Sequence, residues 1–380
     1  MMERFDDLIT DRAVRLADAE AYLRNEDGER LFRDRYVVMS TSGSTGRRGV
    51  FLFNRSEWLR SLASITRPIS WVPRPIKTGK KVPRSALIAA SAPWHFSARV
   101  GRALATTIVP TLRIDAATPI DDMVARLNDW QPASLATYPS VLRELAAAQN
   151  AGKLNIKLQA IASSAEVLTA DIRTAVKRAW AGVTLQDTYG ATEYAPIATE
   201  CSYGRKHLFE DGAVIEVADD AGRVLGPGET GTRLLLTIFH RHTQPLIRYE
   251  ISDIVRLTGV PCPCGRPYRT IESIEGRQED VLHFDSADGT NRVAIHPNRF
   301  HDVLERCTVT SWQVVQEGDA LTIRLVGSNG PDERAAVERA VREMLQAAGA
   351  RLPRTEALAV DQLERGATGK APLILARKTR

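Results

Sequence analysis

The sequence predicts an α/β fold. A large N-terminal domain carries a doubly wound, mostly parallel sheet plus a β subdomain, and a small α+β C-terminal domain follows. From Val37 to Asp187 short apolar runs alternate with amphipathic helical stretches, the pattern of βαβ units whose strands lie parallel. After about residue 205 helical periodicity gives way to β-rich runs broken by Gly and Asp turns. Past Gly276 the texture changes again, to paired strands, one long helix and a last strand. With 380 residues, 43% of them hydrophobic, the chain can bury a large core in two or three domains.

Residues 3–28 are charged and helical in character, with apolar positions at Leu8, Ile9, Val14, Leu16 and Leu23. Tyr36 to Met39 and Val50 to Phe53 read as strands on either side of a small-residue loop. Ser85 to Ala90 is a buried-strand candidate. Asp121 to Trp130 reads as a helix, with Asp121 and Asp122 at its positive end. Leu135 to Thr137 is a strand, and Pro139, favoured in a first helical turn, opens a helix through Ala148. Leu158 to Ala162 reads as a strand, Thr169 to Ala181 as a helix and Val183 to Asp187 as a strand. The β subdomain, about 205–275, holds Val214 to Val217, Arg233 to Phe239 and Ile254 to Leu257, with turns at Asp219 to Gly222 and Gly226 to Gly228. The domains therefore divide as 1–276 and 277–380. The second contains strands at Trp312 to Val315 and Leu321 to Val326, a helix from Pro331 to Ala348 ending near Gly349, and a strand at Ala357 to Val360.

The net charge of +5 is spread along the chain. It suits an anionic cofactor or substrate, and no basic stripe with interleaved aromatics supports nucleic acid. No apolar run approaches the roughly 18 residues of a membrane helix, and the N-terminal residues have no signal-peptide pattern. A cytoplasmic protein with no membrane partner is expected. Four cysteines argue against a disulfide framework. Lys77 to Lys81 reads as a solvated basic loop.

Five motifs carry the chemistry. Ser40 to Gly49 is Ser-Thr-Ser-Gly-Ser-Thr-Gly-Arg-Arg-Gly. Glycines let backbone N–H groups converge on one centre, hydroxyls add donors and arginines add charge, so the loop suits phosphate. The alternative is an ordinary Ser/Gly turn; a Walker loop is excluded, because G-x-x-x-x-G-K-[ST] is absent. Gln186-Asp187-Thr188-Tyr189-Gly190-Ala191-Thr192-Glu193 follows a strand. A Tyr can stack on a base, a Gly permits close approach and a carboxylate can hold magnesium; the alternative is a strand-end turn with a buried Tyr. Asp253, in Arg248-Tyr249-Glu250-Ile251-Ser252-Asp253, is either a bidentate acceptor for ribose hydroxyls or a structural turn residue. In Glu275-Gly276-Arg277-Gln278-Glu279-Asp280 a Gly-Arg pair precedes two acids; the alternative is a charged linker. Gly366-Ala367-Thr368-Gly369-Lys370 puts a lysine on a Gly-rich loop that can reach a developing negative charge, or is an exposed tail.

In this order and at these separations the motifs resemble the adenylate-forming superfamily of acyl-CoA synthetases, adenylation domains and luciferases, and most nearly its phenylacetate–CoA ligase branch. Leu127 to Pro132 with Tyr138 to Leu142, and Ser163-Ser164-Ala165-Glu166, fit the same family. The resemblance covers roughly residues 30 to 375. It implies that Thr41, Ser42, Gly43, Ser44, Thr45 and Gly46 clamp the ATP β/γ-phosphates, and that Ser164, Ala165 and Glu166 line the adenine pocket. Tyr189 packs on the base, with Asp187 and Gly190 in the same nucleotide motif. Thr192 contacts the α-phosphate, Glu193 the Mg2+ ion, Asp253 the ribose and Arg277 the nucleotide near the hinge. Lys370 bridges the attacking carboxylate and the α-phosphate. Trp94, His95 and Phe96 fall where the family builds the acyl pocket; His95 either orients the substrate carboxylate or is a satisfied core or loop histidine.

Three departures stand out. Arg47-Arg48 replaces the common Pro-Lys after the loop, so any cation there is arginine. The hinge acid is Glu279 rather than Asp. Fewer residues precede the loop than in phenylacetate ligases, whose longer helical lead contributes to the substrate side and to dimer contacts. A homodimer in which a partner chain completes the substrate site is one consequent reading. Cys201 with His207, and Cys262 with Cys264, form two local pairs that could make a tetrahedral Cys3His site. Some phenylacetate-ligase-like proteins resemble this at the matching positions, which implies a structural Zn2+; the alternative is four unrelated residues. Cys307 has no evident partner and reads as core.

The implied activity is ATP-dependent activation of a carboxylic acid, plausibly aromatic, as an acyl adenylate with release of pyrophosphate. A C-terminal domain rotating about Glu279 then withdraws Lys370 and admits coenzyme A. Alternatives in the same class use a carrier-protein thiol or an amine as acceptor, or an unusual acid such as nitrite. From another class, a nucleotide-binding protein without catalysis would bind ATP and release no pyrophosphate.

Overall fold

The computed structural model describes residues 1–25, 30–41, 48–71, 83–104, 109–307, 309–366 and 368–377. Its centre is a ten-stranded sheet. Across the sheet the strands run Thr230–Gly231, Asp253–Thr258, Thr270–Arg277, Lys206–Leu208, Ala198–Glu200, Thr184–Tyr189, Ala160–Ser164, Ser134–Thr137, Ser85–Ala89 and Thr111–Asp115. The last five are mutually parallel, and the strands beyond Thr184–Tyr189 extend the sheet antiparallel. The helices Ile120–Trp130, Pro139–Asn150 and Ala170–Ala179 turn apolar stripes onto the parallel half. Leu127, Leu142, Leu145, Ile172 and Val176 pack there against Ile88, Ile114, Leu135 and Ile161. Each such fully buried Leu or Ile contributes about 1.5–3 kcal/mol.

The doubly wound parallel sheet is therefore present, with boundaries that moved for local reasons. The expected strand at Leu158 to Ala162 lies at Ala160–Ser164. Its residues are small, so their apolar signal is weak and the bulkier Leu158 just outside draws the reading forward. The helical stretch 3–28 is broken into Phe5–Leu8 and Leu16–Asn25. Asp11 makes a side-chain turn onto the Ala13 N–H at 3.1 Å, and Asp6 accepts the Leu16 N–H at 2.8 Å. Polar side chains satisfy the backbone there in place of a continuous helix.

The strands flanking the small-residue loop form an antiparallel hairpin, Tyr36–Ser40 with Val50–Asn54, in register from Tyr36↔Asn54 to Ser40↔Val50. Alternation sends Val37, Met39, Phe51 and Phe53 into the core of the β subdomain, beside Leu208, Phe209, Ile215, Leu234 and Leu236. Of the expected β subdomain, Ala213–Ala218, Arg233–Ile238 and Tyr249–Ile251 form a three-stranded sheet, whereas Ile254 to Leu257 lies within Asp253–Thr258 of the central sheet, where it pairs with Thr270–Arg277. The helix Arg55–Thr66, absent from the sequence expectation, starts at a capping box between Asn54 and Glu57. Glu57 also accepts the His242 and Thr243 N–H groups at 2.6 and 2.7 Å, tying this helix to the subdomain.

After Arg277 the chain builds a separate core. A four-stranded sheet runs Arg354–Ala359, Ala320–Val326, Ser311–Glu317, Ile374–Arg377. The helices Pro297–Leu304 and Pro331–Ala347 bury Phe300, Leu304, Val341 and Leu345 against Trp312, Leu321 and Ile323. Cys307 is half-buried against this core. Lys77 to Lys81 lie outside the described residues. Among the described residues no helix is long and apolar enough to cross a membrane.

Candidate active site

Four of the five parallel strands lead straight into a chemistry-bearing segment. Ser85–Ala89 leads to His95, Ser134–Thr137 to Tyr138, Ala160–Ser164 to Glu166 and Thr184–Tyr189 to Gly190 and Glu193. Ligands of open α/β sheets bind outside these carboxyl ends. The Lys370 loop of the C-terminal region closes over them. Gly369, at φ +73°, lies so close to the turn after Thr111–Asp115 that a Cβ there would stand 2.6 Å from the Ala116 carbonyl carbon. Lys370 Nζ lies 5.4 Å from the Tyr138 ring centroid. Burial pulls the Lys370 ammonium below its ordinary pKa, and the Glu166 carboxylate opposes this. Beside it, burial lowers the His95 pKa to about 4, helped by the positive charges of Lys370 and Arg48. His95 is thus a neutral imidazole in the field of the lysine.

Glu166, expected at the adenine pocket, ties two segments of the chain together. Its carboxylate accepts the Ser140 N–H at 2.8 Å, the Ser140 hydroxyl at 3.1 Å and the Ala371 N–H at 3.1 Å. It therefore joins the N-terminus of the Pro139–Asn150 helix to the residue after Lys370. Burial raises its pKa despite these bonds. Ser164 ends its strand paired with Thr188, and Ala165 turns the chain sharply at φ 73°.

A second group gathers around Arg277. The Tyr189 hydroxyl donates to Asp253, and Arg277 Nε lies 3.4 Å from the other Asp253 oxygen. The antiparallel pairing of Asp253 with Arg277 sets this contact. The Tyr249 hydroxyl donates to buried Glu193 at 2.8 Å. Burial raises the Glu193 pKa, while its hydrogen bonds and the charges of Arg277 and Arg241 oppose the rise. Arg277 also lowers the Lys370 pKa, so the two groups share one electrostatic site. Gly190 passes Ala195 closely, since a Cβ would sit 3.1 Å from the Ala195 Cβ. Thr192 is half-buried in the same turn.

At the small-residue loop, the Thr41 hydroxyl accepts the Gly49 N–H at 2.8 Å and Thr41 N–H donates to Gly49 carbonyl at 2.9 Å, closing its neck. Ser42, Gly43, Ser44, Thr45 and Gly46 lie outside the described residues, as does the Glu279 side chain. The Glu279 backbone belongs to a short 3-10 turn, Gln278–Asp280, directly after the central sheet. Trp94 and His95 rings lie 6.1 Å apart. Phe96 packs edge-on to Trp58 at 6.1 Å.

Asp187 is not brought to this group. It is buried in an ion pair with Lys206 at 2.8 Å, and Lys206 also meets Glu200 at 3.5 Å. Sequence reasoning passed over Tyr249, although it stands four residues before Asp253, and Arg241. Arg241 is buried with its guanidinium 3.6 Å from the Phe53 ring centroid, and burial pulls its pKa down to about 10. It also missed Gln313, whose side-chain amide donates to the Glu364 and Pro372 carbonyls at 3.0 and 2.8 Å, drawing together the ends of the Lys370 loop.

Cys201, His207, Cys262 and Cys264 converge, with their ligand atoms all within 4.8 Å of one another. Cys201 and Cys262 sulfurs lie 3.6 Å apart, and Cys264 Sγ lies 3.2 Å from His207 Nε2. Sulfurs on one tetrahedral zinc stand about 3.8 Å apart, given Zn–S bonds near 2.3 Å. His207 Nδ1 lies 3.2 Å from the Tyr268 carbonyl, which assigns the proton to Nδ1 and leaves Nε2 free for a metal. The donor set and its spacing fit zinc.

Residues 10–235 match the family model described as AMP-binding enzyme. A phenylacetate–coenzyme A ligase of Thermus thermophilus is 30% identical over 188 residues, which are 47% of this chain and 41% of that protein. The chain thus spans less than half the length of that relative. Protein CapK of Staphylococcus aureus is 25% identical over 326 residues, 81% of this chain and 67% of that one. Crystal structures of 2-hydroxyisobutyryl-CoA ligase share the fold. The post-adenylation state overlays with a TM-score of 0.72 at 21% identity, covering 92% of this chain and 74% of that one. The thioester-forming state of the same protein, at 20% identity and with 91% and 74% covered, gives 0.53.

Proposed function

The chain belongs to the AMP-binding enzyme family, and we propose that it is an AMP-forming ligase. It activates a carboxylic acid with ATP as an acyl adenylate, releases pyrophosphate and passes the acyl group to a thiol. The observation that carries this reading is Lys370, held over the carboxyl ends of the parallel strands beside Tyr138 and His95 and in the field of Arg277. A carboxylate is already ionised at neutral pH, so attack on the α-phosphorus needs no base. It needs alignment and neutralisation of charge on the phosphoryl oxygens. Lys370 supplies that charge to the carboxylate and the α-phosphate, with Thr192 at the same phosphate. Neutral His95 adds a hydrogen bond without adding a second cation.

The nucleotide side is assigned to the Arg277 group. Asp253 accepts the ribose hydroxyls, exchanging its bonds to Tyr189 and Arg277, and Tyr189 packs on the base beside Ser164 and Ala165. The loop Thr41 to Gly46 holds the β/γ-phosphates. Glu193, oriented by Tyr249, would hold magnesium, which supplies positive charge to the phosphates. Cys201, His207, Cys262 and Cys264 would hold a zinc ion with no open position, so it braces the fold near Trp71 and takes no part in the chemistry. Residues 277–380 then turn about Glu279, carrying Lys370 away and opening the site to the acceptor. Their separate core supports this division.

The likeness to phenylacetate–CoA ligases supports an aromatic acid and coenzyme A as acceptor. The test is pyrophosphate release from Mg-ATP against a panel of aryl and short-chain acids, with and without coenzyme A, beside Lys370→Ala. Acid-dependent release that the variant loses is the expected result. ATP binding without release for any acid would overturn the proposal.

A further inference from the structure

Lys370 can act only if its loop docks on the core, and the structure contains a brace for that docking. The Arg365 guanidinium spans the boundary. Its Nη1 donates to the Gly369 carbonyl at 2.8 Å, on the residue before Lys370. Its Nη2 donates to the Glu144 carboxylate on the core helix Pro139–Asn150. On the other side of Lys370, the Ala371 N–H donates to Glu166 at 3.1 Å. Two core carboxylates, one direct and one through Arg365, thus hold the backbone on both sides of the lysine. The loop itself is closed, with Gly366 N–H donating to the Lys370 carbonyl at 2.8 Å and Gly369 N–H to the Gly366 carbonyl at 2.9 Å.

We propose that Arg365 and Glu144 are positioning residues. Their ion pair docks the Lys370 loop on the core and so favours the adenylating arrangement over the arrangement in which the acceptor attacks. The chemical consequence rests on the ligase reading; the docking itself does not. The pair is partly shielded, with side chains 19% and 33% exposed, and the two guanidinium nitrogens of Arg365 bridge Glu144 and the Gly369 carbonyl, a span that a single lysine ammonium reproduces only in part.

The test uses full-length protein and two readouts. The first is tryptic cleavage after Lys370 in the nucleotide-free protein, followed by mass spectrometry against cleavage after exposed Arg24. Glu144→Ala and Arg365→Met should each raise the Lys370 rate at least fivefold, Arg365→Lys should restore part of the protection, and the double variant should be no worse than Arg365→Met. Unchanged cleavage, or additive effects of the two variants, would overturn the brace. The second readout is the two half-reactions measured apart. Adenylation should fall tenfold or more in kcat with little change in KM for ATP, while acyl transfer from a preformed adenylate stays within twofold. Equal losses in both steps would overturn the state preference. If wild-type protein makes no adenylate from any acid, the ligase reading fails, and the cleavage data still decide the brace.

Discussion

Gly369→Ala separates the docking of Lys370 from the stability of the fold. Gly369 has φ +73°, and an added Cβ would stand 2.6 Å from the Ala116 carbonyl carbon, 2.7 Å from its Cβ and 2.8 Å from the Ala117 nitrogen. The left-handed backbone costs an alanine about 1–2 kcal/mol wherever the loop sits. The clash exists only when the loop is docked, because Ala116 and Ala117 belong to the core. Two of the three atoms are backbone, so the turn cannot yield by changing a rotamer. Overpacking of this kind costs about 1–3 kcal/mol, and at about 1.4 kcal/mol per factor of ten this is a roughly five- to 150-fold loss in the docking equilibrium constant, carried in full into the adenylation rate when the docked state is the minor one. Rapid-quench measurement of adenylate formation should show that loss. Acyl transfer from synthetic adenylate to coenzyme A should be nearly unaffected, and the melting temperature should fall by only a few degrees. Adenylation within twofold of wild type would refute the docked geometry. Parallel loss of both half-reactions would refute the claim that the clash is confined to one arrangement.

Other expectations follow from the same site. Burial holds the Lys370 pKa below the ordinary lysine value and the proposed role needs the ammonium, so adenylation should decline with rising pH before about 10.4. Lys370→Arg, wherever it retains activity, should move that alkaline limb upward; an unmoved limb would remove Lys370 from the step. With a pKa of about 4, His95 is already neutral at pH 6. A rate profile controlled by His95 near pH 6.5, absent in His95→Asn, would contradict its burial. Tyr249→Phe removes a hydrogen bond that favours ionised Glu193, at about 1 kcal/mol, and should raise the magnesium concentration for half-maximal rate roughly fivefold. Plasma emission spectroscopy should find zinc in the purified protein and less in Cys264→Ser, with a lower melting temperature in the variant. Metal-free wild-type protein with an unchanged melting temperature would count against the zinc assignment.

What was legible in the sequence is what local physics encodes. The hairpin around the small-residue loop follows from two apolar runs, and its neck from a threonine and a glycine at its ends. The order of motifs was readable because open α/β sheets put function just after their strands, so Glu166, Tyr189 and Glu193 fall where a strand signal stops. The Cys3His cluster was readable because a short hairpin, Ala198–Glu200 with Lys206–Leu208, carries Cys201 and His207 together. Asp187 misled because motif membership is not depth. It shares a sheet face with Tyr189 by alternation, yet sits two residues, about 6.6 Å, further into the strand. There, on the side of the antiparallel strands that carry Glu200 and Lys206, its carboxylate is neutralised by Lys206. The cross-boundary contacts were beyond reach for another reason. Arg365 meets Glu144 across 221 residues and Ala371 meets Glu166 across 205, and no periodicity pairs residues at such separations. Glu166 shows the cost of that gap. Its motif implies a nucleotide contact, and its three hydrogen bonds also make it a clamp between a core helix and the lysine loop. In the proposed chemistry this carboxylate acts on position, through the backbone on either side of the site, and the charge falls to Lys370.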